Sequence, residues 1–238
     1  MHNQSFIESL HWSQDITFLF FQCQNGHVAC SVCCPKLPED KCPTCSLSIN
    51  FSRCRALEKV IESIKSSCCY SRYGCSKIFS YIEKSSHQET CTYAPCFCPM
   101  PNCTFCGFPE QVSTHFGTHH GSSAIDFQYD KQFKVDLKQD QPFVVLHEQR
   151  GLLFLLLNDK FIDRGNALSV ACIHPSSVEC DFVYELMVPG TESSLQLKAS
   201  AINVRKWVGV YPSKIFLLVP KNFCSSFGEI ILNVCIQK

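Results

Sequence analysis

Six residues near the start of the chain, Cys23, His27, Cys30, Cys33, Cys42 and Cys45, follow one another as C-x3-H-x2-C-x2-C-x8-C-x2-C. Thiol and imidazole donors at such short intervals suit the capture of zinc. That ion takes four ligands at about 2.0–2.3 Å, and a C-x2-C turn offers it two sulfurs without straining the backbone. Two more sets follow. Cys68, Cys75, His87 and Cys91 form C-x6-C-x11-H-x3-C, and Cys98, Cys103, His115 and His120 form C-x4-C-x11-H-x4-H. The last pattern is close to C2H2 finger spacing, with a Pro99-Met100-Pro101 turn inside its first pair. Cys96, Cys106 and His119 stand beside it as rival donors, and Cys98, Cys103, His115 and His120 are preferred. The leftover thiols Cys54, Cys69, Cys96 and Cys106 are read as packing residues. A set of four protein donors leaves no open coordination position, so the chemistry expected is structural Zn2+ and not a metal-activated water.

The spread of cysteine along the chain marks two regions with different chemistry. Fifteen of the nineteen cysteines lie between Cys23 and Cys106, and only Cys172, Cys180, Cys224 and Cys235 follow. A disulfide framework needs an oxidising compartment. Met1–Asp15 has no basic leader region, however, and the apolar run Ile16–Phe21 is too short for a signal core. The expected setting is intracellular, cytoplasmic and/or nuclear, where clustered thiols mean metal. The apolar run Leu152–Leu157 falls far short of the about twenty residues that cross a bilayer. The formal net charge of +0 attracts neither a membrane surface nor nucleic-acid phosphate. Proteins are therefore the expected partners.

The elements that must position these donors can be read coarsely. Residues 1–22 form a lead-in without a strong capping or turn pattern. From Arg55 to Ile64, the residues Leu57, Val60, Ile61 and Ile64 recur at helical spacing and predict a short amphipathic helix between two metal-rich stretches. Gly121-Ser122-Ser123 marks a linker. Beyond it the period falls to two: Phe133, Val135 and Leu137 alternate with Lys134, Asp136 and Lys138, while Leu195, Leu197 and Ala199 alternate with Gln196 and Lys198. Further strands are predicted at 143–148, 152–158, 167–173, 181–188, 214–219 and 229–236, parted by turns such as Asp163-Arg164-Gly165-Asn166 and Pro189-Gly190-Thr191. About eight short strands suggest an antiparallel sandwich. A domain of roughly 115 residues buries well over half of its unfolded surface and needs no metal. The expected fold class is thus multi-domain, with small zinc-stabilised α+β modules followed by an all-β antiparallel sandwich.

The first donor set has the order of the last three ligand pairs of a RING, whose two ions are cross-braced. On that resemblance Cys23, His27, Cys42 and Cys45 form one complete site, whereas Cys30 and Cys33 need an earlier C-x2-C. Residues 1–22 contain none; His2 and His11 are wrongly spaced, and Cys34 is the nearest further thiol. About three zinc ions are therefore expected, with a fourth only if the Cys30 and Cys33 site is filled. The resemblance is wider than the RING. The runs Phe21-Gln22-Cys23-Gln24-Asn25-Gly26-His27-Val28-Ala29-Cys30, Lys41-Cys42-Pro43-Thr44-Cys45 and Arg53-Cys54-Arg55-Ala56-Leu57-Glu58-Lys59-Val60 resemble the Seven-in-absentia family, in particular its plant SINA-like branch. Tyr73-Gly74-Cys75 and Tyr93-Ala94-Pro95-Cys96 continue the match.

That resemblance covers residues 21–238. It implies a partial RING at 23–53, a connecting helix at 54–66, a SIAH-type double zinc finger at 67–121 and a TRAF-like substrate-binding domain at 122–238. The implied activity is that of a RING-type E3 ubiquitin ligase. The RING docks a ubiquitin-charged conjugating enzyme, and the sandwich holds a protein substrate for ubiquitination and proteasomal degradation. No catalytic nucleophile is required, since the gain is proximity between a thioester and a lysine. Pro43 and Thr44 preserve the last docking loop, but the first ligand loop is missing, so weak or absent autonomous activity is expected. Members of the family dimerise through the sandwich, which implies a homo- or heterodimer with SINA-like relatives.

Three other readings compete. A noncatalytic zinc-dependent adaptor shares every feature except the missing ligand pair. Nucleic-acid binding by the 98–120 finger would need Lys or Arg facing phosphates, and residues 92–120 contain neither. A thiol protease would show one cysteine with a distant histidine, not paired cysteines in series. His147 and His174 are read as ordinary surface or strand residues, and Trp207, Phe216 and Phe223 as core.

Overall fold

The structure, a computed structural model, describes residues 19–49, 52–81, 83–148, 151–161, 164–175, 182–212, 214–225 and 228–238. The readings of His2, His11 and Cys180 lie outside the described residues. The chain forms two compact units, Met1–Ser71 with Cys75–Gln88, and Arg72–Gly74 with Glu89–Lys238. Among the described residues no helix is long and apolar enough to cross a membrane.

In the first unit β1 (Phe20–Gln22) and β2 (Val28–Cys30) pair antiparallel, with Phe20 opposite Cys30, and β3 (Ser52–Arg53) pairs with the other edge of β1. The loop between β1 and β2 closes because Gly26 takes φ +79, a left-handed angle that a residue with a Cβ adopts only under strain. The helix α1 (Arg55–Ser63) follows where helical spacing predicted one. The aliphatic face expected is covered only in part: Leu57 and Ile61 are half-buried and Val60 and Ile64 exposed, while the buried residue is Glu58. Glu58 accepts the Phe20 N–H at 3.0 Å and pairs with Arg53 at 2.8 Å. A carboxylate with partners on both oxygens tolerates that position, whereas an unpaired one would not. The Arg53 guanidinium first, and the Phe20 amide next, hold the Glu58 carboxyl below its ordinary range. A hairpin of β4 (Lys65–Ser67) and β5 (Ile78–Ser80) comes next, followed by α2 (Lys84–Thr90).

In the second unit a hairpin of β6 (Cys96–Phe97) and β7 (Cys106–Gly107) leads into α3 (Pro109–His120). Pro109 stands at the start of that helix and the Phe108 N–H donates to Gln111 Oε1 at 3.0 Å, which together fix its first turn. After a 3-10 turn at Gly121–Ser123 come β8 (Ala124–Asp126), β9 (Phe133–Lys138), β10 (Phe143–His147), β11 (Leu153–Phe161) and β12 (Gly165–Ile173). The remaining strands are β13 (Val183–Pro189), β14 (Ser194–Ser200), β15 (Ile202–Val204), β16 (Leu217–Val219) and β17 (Glu229–Gln237). One sheet has the order β15-β12-β11-β10-β8, with β16 also paired to β12; the other has the order β14-β13-β17-β9.

The inward residues of both sheets, among them Leu137, Leu186 and Leu232 on one side and Leu146, Leu156 and Leu168 on the other, share a single core. The expected sandwich is therefore present. Its pairing is antiparallel except at β8–β10 and β12–β15. At both places the chain visits the opposite sheet before returning, and so re-enters in its former direction. β8 and β15 are three residues each, too short to show a period in the sequence.

The outer face of the six-stranded sheet is covered as well: Val145, Leu153, Leu155 and Leu157 pack with Val112 and Phe116 of α3 and with Cys96 and Cys98. Burial on both faces explains why β11 reads as an unbroken apolar run, while β9 and β14, with one wet face, alternate. Gly165 opens β12 at φ +133, and a Cβ there would meet the Val219 carbonyl oxygen at 2.1 Å. The glycine of the predicted turn is thus demanded by the close approach of β16.

Candidate metal centres

The first centre is built from two loops. Cys23 and His27 stand at the ends of the loop between β1 and β2, held by Cys23 N–H to His27 O at 3.0 Å and Gly26 N–H to Cys23 O at 2.9 Å. Cys42 and Cys45 come from a second loop, in which Cys42 N–H meets Leu47 O and Ser46 N–H meets Cys42 O, each at 2.7 Å. One donor atom from each of these four residues lies within 4.8 Å of all the others. Cys23 Sγ is 3.5 Å from His27 Nδ1 and 3.6 Å from Cys45 Sγ. A tetrahedral zinc ion keeps sulfur and nitrogen donors roughly 3.4–3.8 Å apart, so these separations fit one ion. Burial acts to raise the Cys42 thiol, but the amides of Thr44 and Cys45 and the sulfurs of Cys45 and Cys23 prevail and lower it to about 7. Thiolate, the ligating form, is accordingly accessible near neutrality.

Cys68 enters from the end of β4, fixed by Cys68 N–H to Lys77 O at 3.1 Å and Ser71 N–H to Cys68 O at 3.0 Å. The donors of Cys68, Cys75, His87 and Cys91 lie within 4.8 Å of one another. Cys75 Sγ is 3.5 Å from His87 Nε2, and the Phe79 ring lies 4.6 Å from the His87 ring.

In the third centre the turn after β6 presents Cys98 and Cys103, and α3 presents His115 and His120; all four donors again lie within 4.8 Å of one another. Cys103 Sγ is 3.3 Å from His115 Nε2, and the Phe105 ring stacks on His115 at 4.0 Å with an interplanar angle of 4°. Burial, then the neighbouring His119 and His120, depress the His115 pKa, so the ring is held neutral, the form that ligates a metal. Burial also pushes the Cys98 thiol up to about 11; capture of a cation there must displace a proton. His120 Nε2 is buried and has no hydrogen-bond partner among the described residues. A buried ring nitrogen left so is costly, and a cation held by the set would satisfy it. The donor chemistry of the three sets fits zinc.

Cys30 and Cys33 are brought together by a turn, with Cys33 N–H to Cys30 O at 3.0 Å, but no set of three or more donors among the described residues includes them. Burial, then the Cys30 thiol, raises the Cys33 thiol. Cys34, the spare thiol, is buried and directed at the Ala29 carbonyl at 3.9 Å. Of the rival donors at the third centre, Cys96 is buried in the core under α3 and pushed up to about 12 by that burial. Cys106 Sγ lies 3.7 Å from Tyr73 Oη, and His119 is exposed with Nδ1 3.1 Å from the His115 carbonyl. Cys69 was read as a packing residue but is exposed; its neighbour Cys68 turns inward, so Cys69 faces out. His147 is buried, with Nδ1 3.4 Å from Asp126 and its ring 6.2 Å from Phe116. Phe79, tilted beside His87, and Phe105, stacked on His115, escaped the sequence reading, since an aromatic in a short hairpin carries no ligand spacing of its own.

Comparison with known proteins bears on these centres. Residues 16–45 match the family described as E3 ubiquitin-protein ligase sina/sinah, RING finger, and residues 59–134 match Sina, zinc finger. The chain is similar to E3 ubiquitin-protein ligase SINA-like 10 of Arabidopsis thaliana, with 30% identity over 217 residues, 91% of this chain and 62% of the relative. It is similar to SINA-like 2 of the same plant, with 32% identity over 228 residues, 94% of this chain and 72% of the relative. Putative E3 ubiquitin-protein ligase SINA-like 6 is 33% identical over 206 residues, 84% of this chain and 73% of that relative.

Proposed function

The chain belongs to the SINA-like family of E3 ubiquitin-protein ligases, and on that premise we propose that it joins a ubiquitin-charged conjugating enzyme to a protein substrate, whose ubiquitination leads to proteasomal degradation. The observation that carries this reading is the donor set Cys23, His27, Cys42 and Cys45, drawn together inside the segment that matches the RING family. Residues 23–53 with their zinc present the Pro43-Thr44 loop to the conjugating enzyme. Residues 54–66 connect them to the double finger at 67–121, and residues 122–238 receive the target. Each of the three complete sets holds one structural Zn2+, and none leaves an open position for a substrate oxygen. What the chain supplies is proximity: a thioester and a lysine on two bound partners meet as if tethered. Thiols kept reduced for metal favour an intracellular setting, cytoplasmic or nuclear. The same reading includes a homo- or heterodimer with SINA-like relatives.

The test is single-turnover discharge of ubiquitin from a charged conjugating enzyme by the purified, zinc-loaded chain. Slow discharge, abolished by Cys42→Ser, is expected. A second reading, a noncatalytic zinc-dependent adaptor, is favoured by Cys30 and Cys33, which belong to no set of three or more donors among the described residues. Target binding without any discharge would establish the adaptor and remove the ligase.

A further inference from the structure

The geometry points to a docking surface for an acidic protein segment on the β15–β16 side of the six-stranded sheet, an inference that rests on the reading that the sandwich receives protein targets. β15 and β16 lie end to end along one edge of β12, with Ile202 opposite Ala171 and Leu218 opposite Ala167. Positions 167 and 171 share one face of the strand, and Ala171 belongs to the core beneath α3. Ile202 and Leu218 therefore stand on that same face. Residues 205–212 of the connection are pinned there by Trp207 and Tyr211, whose rings are 5.1 Å apart, and by Tyr211 Oη donating to the Pro142 carbonyl at 3.4 Å. The residues between the two anchors are lifted outward. Val208 is 66% exposed and Val210 70%, and beyond the second anchor Ile215 is 53% exposed. Single exposed aliphatics are ordinary, but five on one short strap and the strand face beside it form a patch.

Charge names the occupant. Residues 193–228 contain Lys198, Arg205, Lys206, Lys214 and Lys221 and no Asp or Glu, in a chain whose acidic and basic residues balance at 21 each. Lys198 is paired with Glu185 at 2.7 Å on the other sheet. Lys206 and Lys214 flank the patch and are exposed. Asp159, opposite Ala167 and so on the same face, lies close enough to Tyr211 to act on it, but the cations Arg205, Lys206 and Lys214 outnumber it. An apolar centre with such a mainly cationic rim complements a segment in which bulky apolar side chains alternate with carboxylates.

The probe is a fluorescent peptide alternating Val and Glu, titrated against the full zinc-loaded chain beside its Val/Lys and Ser/Glu counterparts. The Val/Glu peptide should bind about ten-fold tighter than either counterpart, and Val208→Asp with Val210→Asp should remove about that much of its affinity. Lys206→Glu with Lys214→Glu should shift the preference to the Val/Lys peptide. All four side chains are exposed, but Lys206 Nζ also lies 5.3 Å from the centre of the Phe97 ring; Lys214→Glu alone therefore serves as the control in which zinc content and melting temperature should not change. Equal binding of the Val/Glu and Val/Lys peptides, or binding indifferent to the Val208 and Val210 substitutions, overturns the assignment. So does a patch that the same substitutions identify as a self-association surface, or as a site for vesicles of phosphatidylcholine with phosphatidylserine, without peptide preference. Ubiquitin discharge separates the two layers. Discharge without peptide binding overturns the surface alone, whereas peptide binding without discharge upholds the surface and removes the ligase.

Discussion

The first unit and the sandwich are stabilised from different sources. Around the RING-like loops the buried apolar cluster of described residues is Cys23, Ala29, Cys34, Cys42 and Ile49, three of them cysteines. The cluster between the two sheets has twenty buried members, of which only Cys172 is a cysteine. A module with so little apolar surface to bury must borrow its stability from ligand bonds, and a structural zinc ion supplies on the order of 10 kcal/mol. The third centre stands between these extremes. It has a full donor set, yet Val112 and Phe116 of α3 are also fully buried against the sheet.

The largest effect expected from this contrast is on metal removal. Chelation in the presence of a thiol reductant should abolish amide protection across residues 23–49 while β11 and β12 keep theirs, as read by hydrogen exchange with mass spectrometry. Protection at 23–49 that survives chelation would break the comparison at its root. Residues 109–120 should respond only in part, because the apolar face of α3 holds it on the sheet without metal. Phe116→Ala removes the largest side chain of that face at a cost of about 3–5 kcal/mol. In the variant, α3 should become as sensitive to chelator as the first unit. If α3 exchanges alike in both proteins after chelation, packing does not support the third centre.

Within the sandwich a smaller effect concerns polar burial. Asn158 Nδ2 donates to the carbonyls of Lys138 at 3.1 Å and Gln141 at 2.7 Å, and Asn158 Oδ1 accepts from Asn166 at 2.7 Å. Both asparagines are buried. Removing the amide strands buried groups worth about 1–3 kcal/mol each. Asn158→Ala should thus lower sandwich stability by about 3 kcal/mol in urea unfolding, with zinc content unchanged. Loss of zinc in that variant would mean that the two regions do not rest on separate sources.

How much of this was legible follows from the same contrast. Ligand spacing is local in sequence, so Cys68, Cys75, His87 and Cys91 could be grouped before any fold was known, and the structure brings those donors together. Alternation in β9 and β14 was equally local, because each has one wet face. What escaped needed a partner far along the chain. The run at β11 could not reveal that α3 covers its second face, and three-residue strands such as β15 exist only through their pairing with β12. Glu58 shows the same limit: helical spacing gave the buried face to aliphatic residues, and only Arg53 and the Phe20 amide make a carboxylate acceptable there.

Glu58 also yields the smallest prediction, and it sharpens the comparison by asking whether metal alone holds the first unit. Its carboxyl is depressed in the folded chain by the Arg53 guanidinium and the Phe20 amide. A depressed carboxylate contributes stability that is present above the ordinary carboxylate range and is lost as pH falls through the lowered value. Glu58→Gln keeps the shape and an acceptor for the Phe20 N–H but ends the ion pair with Arg53. At neutral pH the variant should show slightly faster amide exchange in β1 and β3, with full zinc content. As the pH is lowered below the ordinary carboxylate range of about 4, the two proteins should converge, because the wild-type carboxylate is discharged once the pH passes its lowered value. Acid also releases zinc, which would erase the gap by itself, so the comparison is read only at pH values where both proteins keep their full zinc content. A gap in exchange that stays constant with pH would assign the role of Glu58 to packing and leave the metal as the sole support of these strands.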